Sequence, residues 1–257
     1  MTRALKGRVI GCAVHALDEV DSTQAELVRL AAQGAPEGTV VSAHHQRAGR
    51  GRRGRCWWDE PGDSLLFSVL LRPPIETARA PQLSLVGALA VTDALRSVAG
   101  VDARIRWPND VLIEGRKVGG ILPEAVSTGD NTIRFVMLGI GLNVNQRRFP
   151  DELSGRATSL RLVTGRRHEP EALLDAVLEA LDGRYSAWLG VGFTALRDAC
   201  RERSATLGQS VALSDGGAGT AVDLDADGAL LVRTDAGVLR RVVSGEPEEG
   251  VPHAAGH

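Results

Sequence analysis

Residues 47–58 constrain this chain more than any other stretch, because they hold five arginines and three glycines with no acidic side chain before Asp59. A strand is disfavoured there, since glycine is depleted in strands and like charges would crowd. A helix would lose about 1 kcal/mol for each glycine. The stretch therefore reads as a loop, mobile when empty, whose guanidinium groups and backbone amides suit a polyanion, most simply the phosphates of a nucleotide. A solvated basic loop, or an Arg/Gly contact to RNA, would use the same residues.

The rest of the composition narrows the partners. The chain has 257 residues, 43% hydrophobic and 24% charged, which allows one large domain or one plus a small appendage. A net charge of −2 gives no global field toward nucleic acid or anionic lipid, so the basic stretch is a local exception. Cys12, Cys56 and Cys200 are odd in number and widely spaced, which fits neither a disulfide framework nor a zinc site and suggests a reducing cytosol. Cys56 beside Arg55 has no His or Asp pattern that would make it a nucleophile. The N-terminal apolar run is too short for a signal-peptide core, and no run approaches a membrane span. A cytoplasmic protein is expected. Only two basic residues are lysines, Lys6 and Lys117. Lys117 stands in a glycine-rich turn, a hint that a compact ammonium is required there.

Taken in order, residues 13–21 form an expected strand with Val14, Ala16 and Leu17 inward. Thr23 with Glu26 reads as a capping box opening a helix whose apolar face is Leu27, Leu30 and Ala31, closed by Gly34. Ser22 and Thr23 need no ligand in that role, although helix-start amides also receive polar ligand groups. A short strand over 38–43 leads into the basic loop, and another over 63–71 leaves it. Trp57 and Trp58 cannot share one strand face, so one is expected in the core and the other against a base or the loop root. Apolar positions at helical spacing mark a helix over 81–98, ended by Gly100.

Two later stretches carry chemistry. From Arg106 to Leu122, Pro108-Asn109-Asp110 is a turn, Val111 to Ile113 a strand, Gly115 a hairpin turn and Val118 onward the returning strand. Such a hairpin brings Asn109 and Asp110 to the end that holds Gly119 and Gly120, with Lys117 near the turn. Asn109 and Asp110 are turn formers or, equally, ligand or Mg²⁺-shell groups. Residues 133–145 alternate with period two, so Gly139, Gly141, Asn143 and Asn145 share one face. Such a face offers a flat wall for a ring, or close packing of another strand. Beyond it, residues 170–189 form an amphipathic helix capped by Gly190 and 193–203 another, followed from Gly208 by short alternating strands.

In this order and spacing, Ser22-Thr23, the Gln46-x-x-Gly49-Arg50-Gly51-Arg52-Arg53-Gly54-Arg55-x-Trp57 segment, Trp107-Pro108-Asn109-Asp110, Lys117-x-x-Gly120-Ile121-Leu122-x-Glu124 and Gly139-Ile140-Gly141-Leu142-Asn143 resemble biotin protein ligases. Each motif alone is weak, but five in register across about residues 14–145 are specific. The resemblance implies an α+β fold. A class II synthetase-like catalytic domain, a mixed sheet flanked by helices, would occupy residues 1–204. A small SH3-like β-barrel would follow at 205–247, and a disordered tail at 248–257, where His253 and His257 bind no metal. It also implies two reactions. The biotin carboxylate attacks the α-phosphate of Mg-ATP, giving biotinyl-5′-adenylate and pyrophosphate. A lysine of a biotin carboxyl carrier domain then attacks the mixed anhydride and releases AMP. Two anions must be brought together, so fixed positive charge dominates the expected catalysis, and no covalent enzyme intermediate is required.

Residue by residue, the resemblance gives Ser22, Thr23 and Gln46 to the ureido head of biotin, and Gly49, Arg50, Gly51 and Arg52 to the segment closing over biotin and adenylate. It gives Arg53, Arg55 and Trp57 to the nucleotide, Asn109 and Asp110 to phosphates and Mg²⁺, and Asn143 to the adenylate. Gly120, Gly139 and Gly141 would admit the bicyclic ring. Lys117 would bridge the carboxylate and the α-phosphate, with Arg50 and Arg52 also catalytic. Biotin, ATP and Mg²⁺ are the expected ligands, the carrier domain of an acyl-CoA carboxylase the expected partner, and a homodimer is compatible. No DNA contact is expected, because only about twenty residues precede Ser22, short of the helix-turn-helix domain of the repressor type, so the monofunctional kind is implied. No membrane is expected, because no run is long and apolar enough to span one.

Two positions depart from the family pattern: Gln24 replaces the usual Asn, and Pro123 falls within a strand, where it removes a ladder donor and suggests an edge or bulge. Two alternatives stand beside this reading. A lipoate ligase or lipoyl/octanoyl transferase has a related fold, although the uninterrupted arginine loop and the Lys-x-x-Gly-Ile-Leu strand favour biotin. A non-enzymatic RNA-binding module would rest on the arginine loop alone.

Overall fold

The computed structural model describes residues 2–3, 8–213 and 217–243, so the expected disordered tail lies outside the described residues. The elements run β1 (Thr2–Arg3), β2 (Ala13–Val20), α1 (Thr23–Ala32), β3 (Thr39–Gln46), β4 (Ser64–Leu71), α2 (Gln82–Ala99), β5 (Arg104–Arg106), β6 (Asp110–Ile113), β7 (Arg116–Ser127) and β8 (Ile133–Asn143). Then come α3 (Leu160–Thr164), α4 (Pro170–Val191), α5 (Thr194–Glu202), β9 (Ser210–Ala212), β10 (Ala218–Leu224), β11 (Leu230–Thr234) and β12 (Leu239–Val242). The result is a mixed α+β fold. An eight-stranded sheet has the order β1-β2-β3-β4-β8-β7-β6-β5, with only β2 and β3 parallel, joined through α1.

Strand β4 shows how the sheet is used. It is buried along its whole length, and alternate residues go to different neighbours. Leu65, Phe67, Val69 and Leu71 join the main core formed with α2 and α4. On the other face Leu70 meets Leu27, Ala31, Val41, Phe135 and Met137 beneath α1. β8 repeats the pattern: Leu138, Ile140 and Leu142 enter the main core, while Phe135 and Met137 lie under α1. Further along that second face the residues turn small or polar: Ser64 and Ser68 on β4, Gly139, Gly141 and Asn143 on β8. This uncovered half of the face becomes the floor of a cavity.

Several local expectations change. Helix α1 is capped at Ser22, not Thr23, and no side chain makes a capping bond; Glu26 instead pairs with Arg29 at 2.6 Å. The capping box is therefore absent, because Thr23 is drawn to partners across the sheet. Ala16 is exposed, while Val14 enters the main core and Leu17 packs against the α1 cluster on the opposite face. Helix α4 runs through Gly190 and ends at Gly192, since the apolar stripe continues only to Trp188 but nothing interrupts the backbone ladder before Gly192. Asn145 lies past the end of β8 and exchanges hydrogen bonds with the backbone of His168, so it does not share the glycine face.

At the hairpin Glu114-Gly115, both residues take the left-handed backbone that a tight turn between two strands requires. Pro123 sits on β7 after its pairing with β6 has ended at Gly120, so the strand has a neighbour on one side only, as the missing donor demands. The C-terminal strands form a four-stranded antiparallel sheet in the order β12-β11-β10-β9. Its Val211, Ala221, Leu224, Leu230 and Val232 belong to the main core. This sheet also holds the turn before β6: Trp107 donates through its backbone to Thr206 Oγ1 (2.9 Å) and through Nε1 to the Gly228 carbonyl (3.0 Å). Among the described residues no helix is long and apolar enough to cross a membrane.

Candidate active site

The arginine segment is not an open loop. Gly51 N–H donates to the Arg55 carbonyl (2.7 Å), Trp57 N–H to the Gly49 carbonyl (3.0 Å), and Arg50 and Cys56 bridge between them. Residues 49–57 thus form a small antiparallel hairpin whose tip is Arg52-Arg53-Gly54, with positive φ at Arg53 (56°) and Gly54 (74°). A side chain at Gly49 would meet the Trp57 carbonyl at 3.2 Å and Gln46 Nε2 at 3.3 Å, so that glycine lets the hairpin legs close.

This hairpin overhangs the bare half of the sheet and encloses a cavity of about 680 Å³, a size suited to a drug-sized ligand or cofactor. The structure brings together Ser22, Thr23 and Gln46 at one end; Arg50, Gly51, Arg52, Arg55 and Trp57 from the hairpin; Asn109 from the turn before β6; Asp110, Lys117 and Gly120 from β6 and β7; and Gly139, Gly141 and Asn143 from β8. Of the expected residues, Gly49 and Arg53 do not line it. Gly49 acts beneath the hairpin, and Arg53 is exposed at the tip. Nothing in the residue pattern marked Phe149, Glu152, Leu153 and Arg156, which line it from the segment between β8 and α3. Trp58, expected as a core candidate with Trp57, is only half-buried and packs on Phe149 with ring centroids 5.5 Å apart.

At the closed end Gln46 Oε1 accepts from the backbone N–H of Thr23 (2.8 Å) and from its hydroxyl (3.1 Å), and that hydroxyl also meets Ser68 Oγ at 2.7 Å. The Gln46 amide is thereby oriented, leaving Nε2 as a donor. Across the cavity Arg52 donates to Asn109 Oδ1 (3.0 Å) and Arg50 to Glu124 (3.0 Å), tying the hairpin down over β6 and β7.

The expected glycine wall is occupied by the protein itself. A Cβ on Gly141 would lie 2.8 Å from the Trp57 indole, one on Gly120 would meet that indole at 3.2 Å and Lys117 Nζ at 3.3 Å, and one on Gly139 would meet the Gln24 amide at 3.1 Å. These glycines make room for Trp57 and Gln24, which then present their own surfaces to the cavity. Trp57 Nε1 and Asn143 Oδ1 are buried with no hydrogen-bond partner among the described residues, a cost that a polar ligand would relieve.

Lys117 is held firmly. Its ammonium is 2.6 Å from Asp110 Oδ1 and 5.7 Å from the centre of the Trp57 ring, while Asp110 Oδ2 accepts from Arg106 at 2.8 Å. Arg106 is thus a site residue that sequence reading passed over. Burial works to raise the Asp110 pKa, but Lys117 and Arg106 more than offset it and hold the carboxyl below its usual range. Because the folded value is depressed, this carboxylate adds stability above its unfolded pKa of about 4, and the contribution is lost as pH falls through the lower folded value. Asp110→Asn is expected to flatten the fall in stability below about pH 4, leaving the curve shape unchanged from pH 5 to 8. Chemical denaturation across pH 3–7 checks this; an unchanged acid limb would speak against it.

Known proteins with this pattern are consistent. Residues 17–143 match the biotin/lipoate A/B protein ligase family, and residues 206–246 the biotin protein ligase C terminal domain. The chain is 37% identical over 251 residues to the bifunctional ligase/repressor BirA of Bacillus subtilis, covering 96% of this chain and 77% of that protein. It is 39% identical over 230 residues to the biotin–[acetyl-CoA-carboxylase] ligase of Paracoccus denitrificans, covering 86% of this chain and 94% of that one. Among solved structures, the biotin protein ligase from Aquifex aeolicus in complex with biotin and ATP aligns with a TM-score of 0.79 at 33% identity, over 91% of this chain and 96% of that one.

Proposed function

The chain belongs to the biotin/lipoate A/B protein ligase family, and from that premise and its cavity we infer an ATP-dependent biotin protein ligase. Biotin and ATP combine to biotinyl-5′-adenylate and pyrophosphate. The biotinyl group then passes to a lysine amine of a biotin carboxyl carrier domain, with release of AMP. The observation that carries the residue-level reading is the Lys117 ammonium, held by Asp110 in the cavity wall beside the Trp57 ring. At that place it neutralises both the attacking carboxylate and the α-phosphate as their charges converge.

Biotin's ureido ring then sits at the Ser22, Thr23 and Gln46 end, with Gln46 Nε2 a donor for its carbonyl. Arg55 and Asn143 flank the nucleotide, and the Trp57 ring faces the ligands in place of the glycines behind it. Both Asp110 oxygens are engaged by cations, so that carboxylate does not fit a resident metal and acts as the holder of Lys117. Among the described residues no cluster of three His, Cys, Asp or Glu side chains could hold one. Mg²⁺ enters with the triphosphate as part of the substrate. We read residues 1–204 as the catalytic domain and the C-terminal sheet as the SH3-like part. Its hydrogen bonds to Trp107 give it a supporting role in placing Asn109 and Asp110.

The reactive anhydride must be kept from water until the acceptor arrives, which the overhanging hairpin does. Arg52→Gly removes the bond to Asn109 that ties the tip down. It is expected to release free biotinyl-adenylate into solution rather than simply abolish its formation. Chromatography of the reaction supernatant checks this; adenylate no higher than wild type would overturn it.

The function itself is tested by ATP–pyrophosphate exchange with Mg²⁺ and biotin, lipoate or octanoate in parallel. Exchange with biotin alone is expected. Exchange with lipoate instead would move the chain to the lipoate branch of the family.

A further inference from the structure

Gln24, the second residue of α1, is buried to 4% exposure at the inner wall of the cavity. Its Nε2 donates to the Leu122 carbonyl on β7 (2.9 Å) and to the Met137 carbonyl on β8 (3.4 Å). Those residues flank the Pro123–Leu138 pair, where β7 has lost its β6 neighbour and proline removes a donor. The two departures noted in the sequence therefore lie side by side. One glutamine amide spans the interval between two strands at the proline, and it rests against Gly139, whose missing side chain leaves room for it. The 3.4 Å contact is already at the limit of a hydrogen bond, and an asparagine at the same helix position is one methylene shorter.

We propose that Gln24 is a specificity-determining residue for the acyl substrate: its length, fixed by the two carbonyls and by Gly139, sets how deeply a ring head seats beside Thr23. This rests on the biotin reading of the cavity. In wild type the glutamine amide is the floor, which admits a compact bicyclic urea and excludes added bulk on its nitrogens. A pocket of this kind discriminates one methylene or methyl group by about tenfold or somewhat more.

The test uses the full chain and pyrophosphate exchange with two probes, biotin and biotin methylated on a ureido nitrogen. Gln24→Asn lowers the floor, so the preference for biotin over the methylated probe is expected to fall about tenfold, with KM for biotin raised and KM for ATP unchanged. Gly139→Ala acts in the opposite sense. Its Cβ would meet the Gln24 amide at 3.1 Å and push it into the cavity, so the preference is expected to rise. A structural disturbance would not move one ratio in two directions. If both variants leave the ratio as in wild type, or shift it the same way, the proposal is wrong. If Gln24→Asn fails to fold, Gly139→Ala decides alone. Wild type that exchanges with neither probe would sink the ligase reading instead, a result distinguishable from loss of the Gln24 effect.

Discussion

Lys117→Gln is expected to lower the rate of biotin-dependent pyrophosphate exchange by about 10²–10³-fold, equivalent to about 3–4 kcal/mol of transition-state stabilisation. The size follows from where the ammonium stands. Among the described residues it is the one lysine lining the cavity, fixed by Asp110 at 2.6 Å and leaning on the Trp57 ring, so it needs little reorganisation when the two anions converge. The effect belongs in kcat more than in KM, because arginines 50, 52 and 55 remain to bind the ligands. Lys117→Arg is not expected to restore activity. A planar guanidinium cannot replace a point charge between Asp110 and the indole, where Arg106 already occupies the other carboxylate oxygen. Loss of less than tenfold in kcat would assign the charge stabilisation to the hairpin arginines. The protein should remain folded, since Arg106 still pairs with Asp110; thermal unfolding alongside the kinetics separates the two effects.

The parts of this site legible in the sequence are those governed by local rules. The spacing of Asp110, Gly115 and Lys117 dictates a two-stranded hairpin, and the period-two run through Gly139, Gly141 and Asn143 dictates one bare face of a strand. The hairpin appears as read, and so does the shared face of Gly139, Gly141 and Asn143, but Asn145, read onto the same face, lies past the end of β8. The scarcity of lysine marked Lys117. What local rules cannot supply is which distant side chain fills a gap. The glycine face was read as a wall for a ligand ring, yet Trp57 and Gln24, from a hairpin and a helix far away in the chain, lie against it first. Thr23 looked like a helix cap because Glu26 follows at the right distance. Its hydroxyl is taken by Gln46 and Ser68, which only the parallel β2–α1–β3 connection and the adjoining β4 bring near. Arg106 resembled any other surface arginine until the hairpin placed it beside Asp110. Phe149 and Glu152 come from an irregular segment with no period to detect.

Gly141→Ala should abolish most activity while leaving the fold nearly intact, and Gly119→Ala should do the reverse. Both glycines lie in the centre of the sheet, where neighbouring strands fix the backbone: Gly141 pairs with Leu66 and Gly120, and Gly119 with Leu142 and Val111. Their absent side chains point to different places. At Gly141 a Cβ would fall 2.8–2.9 Å from the Trp57 indole, which borders the cavity and can yield into it. The displaced ring would take up ligand space and leave Lys117, and a shift of about 1 Å in such a site can cost about 10²-fold in rate. At Gly119 a Cβ would fall 2.3 Å from Leu142 Cδ2 and 3.1 Å from the Gly141 carbonyl, inside the main core, where no open space receives the strain. Overpacking of that kind costs roughly 1–3 kcal/mol. Exchange kinetics and thermal melts on the two variants give a crossed result if Trp57 is the surface the ligands meet. Equal loss of stability in both, or full activity in Gly141→Ala, would mean that the indole is not part of the working site.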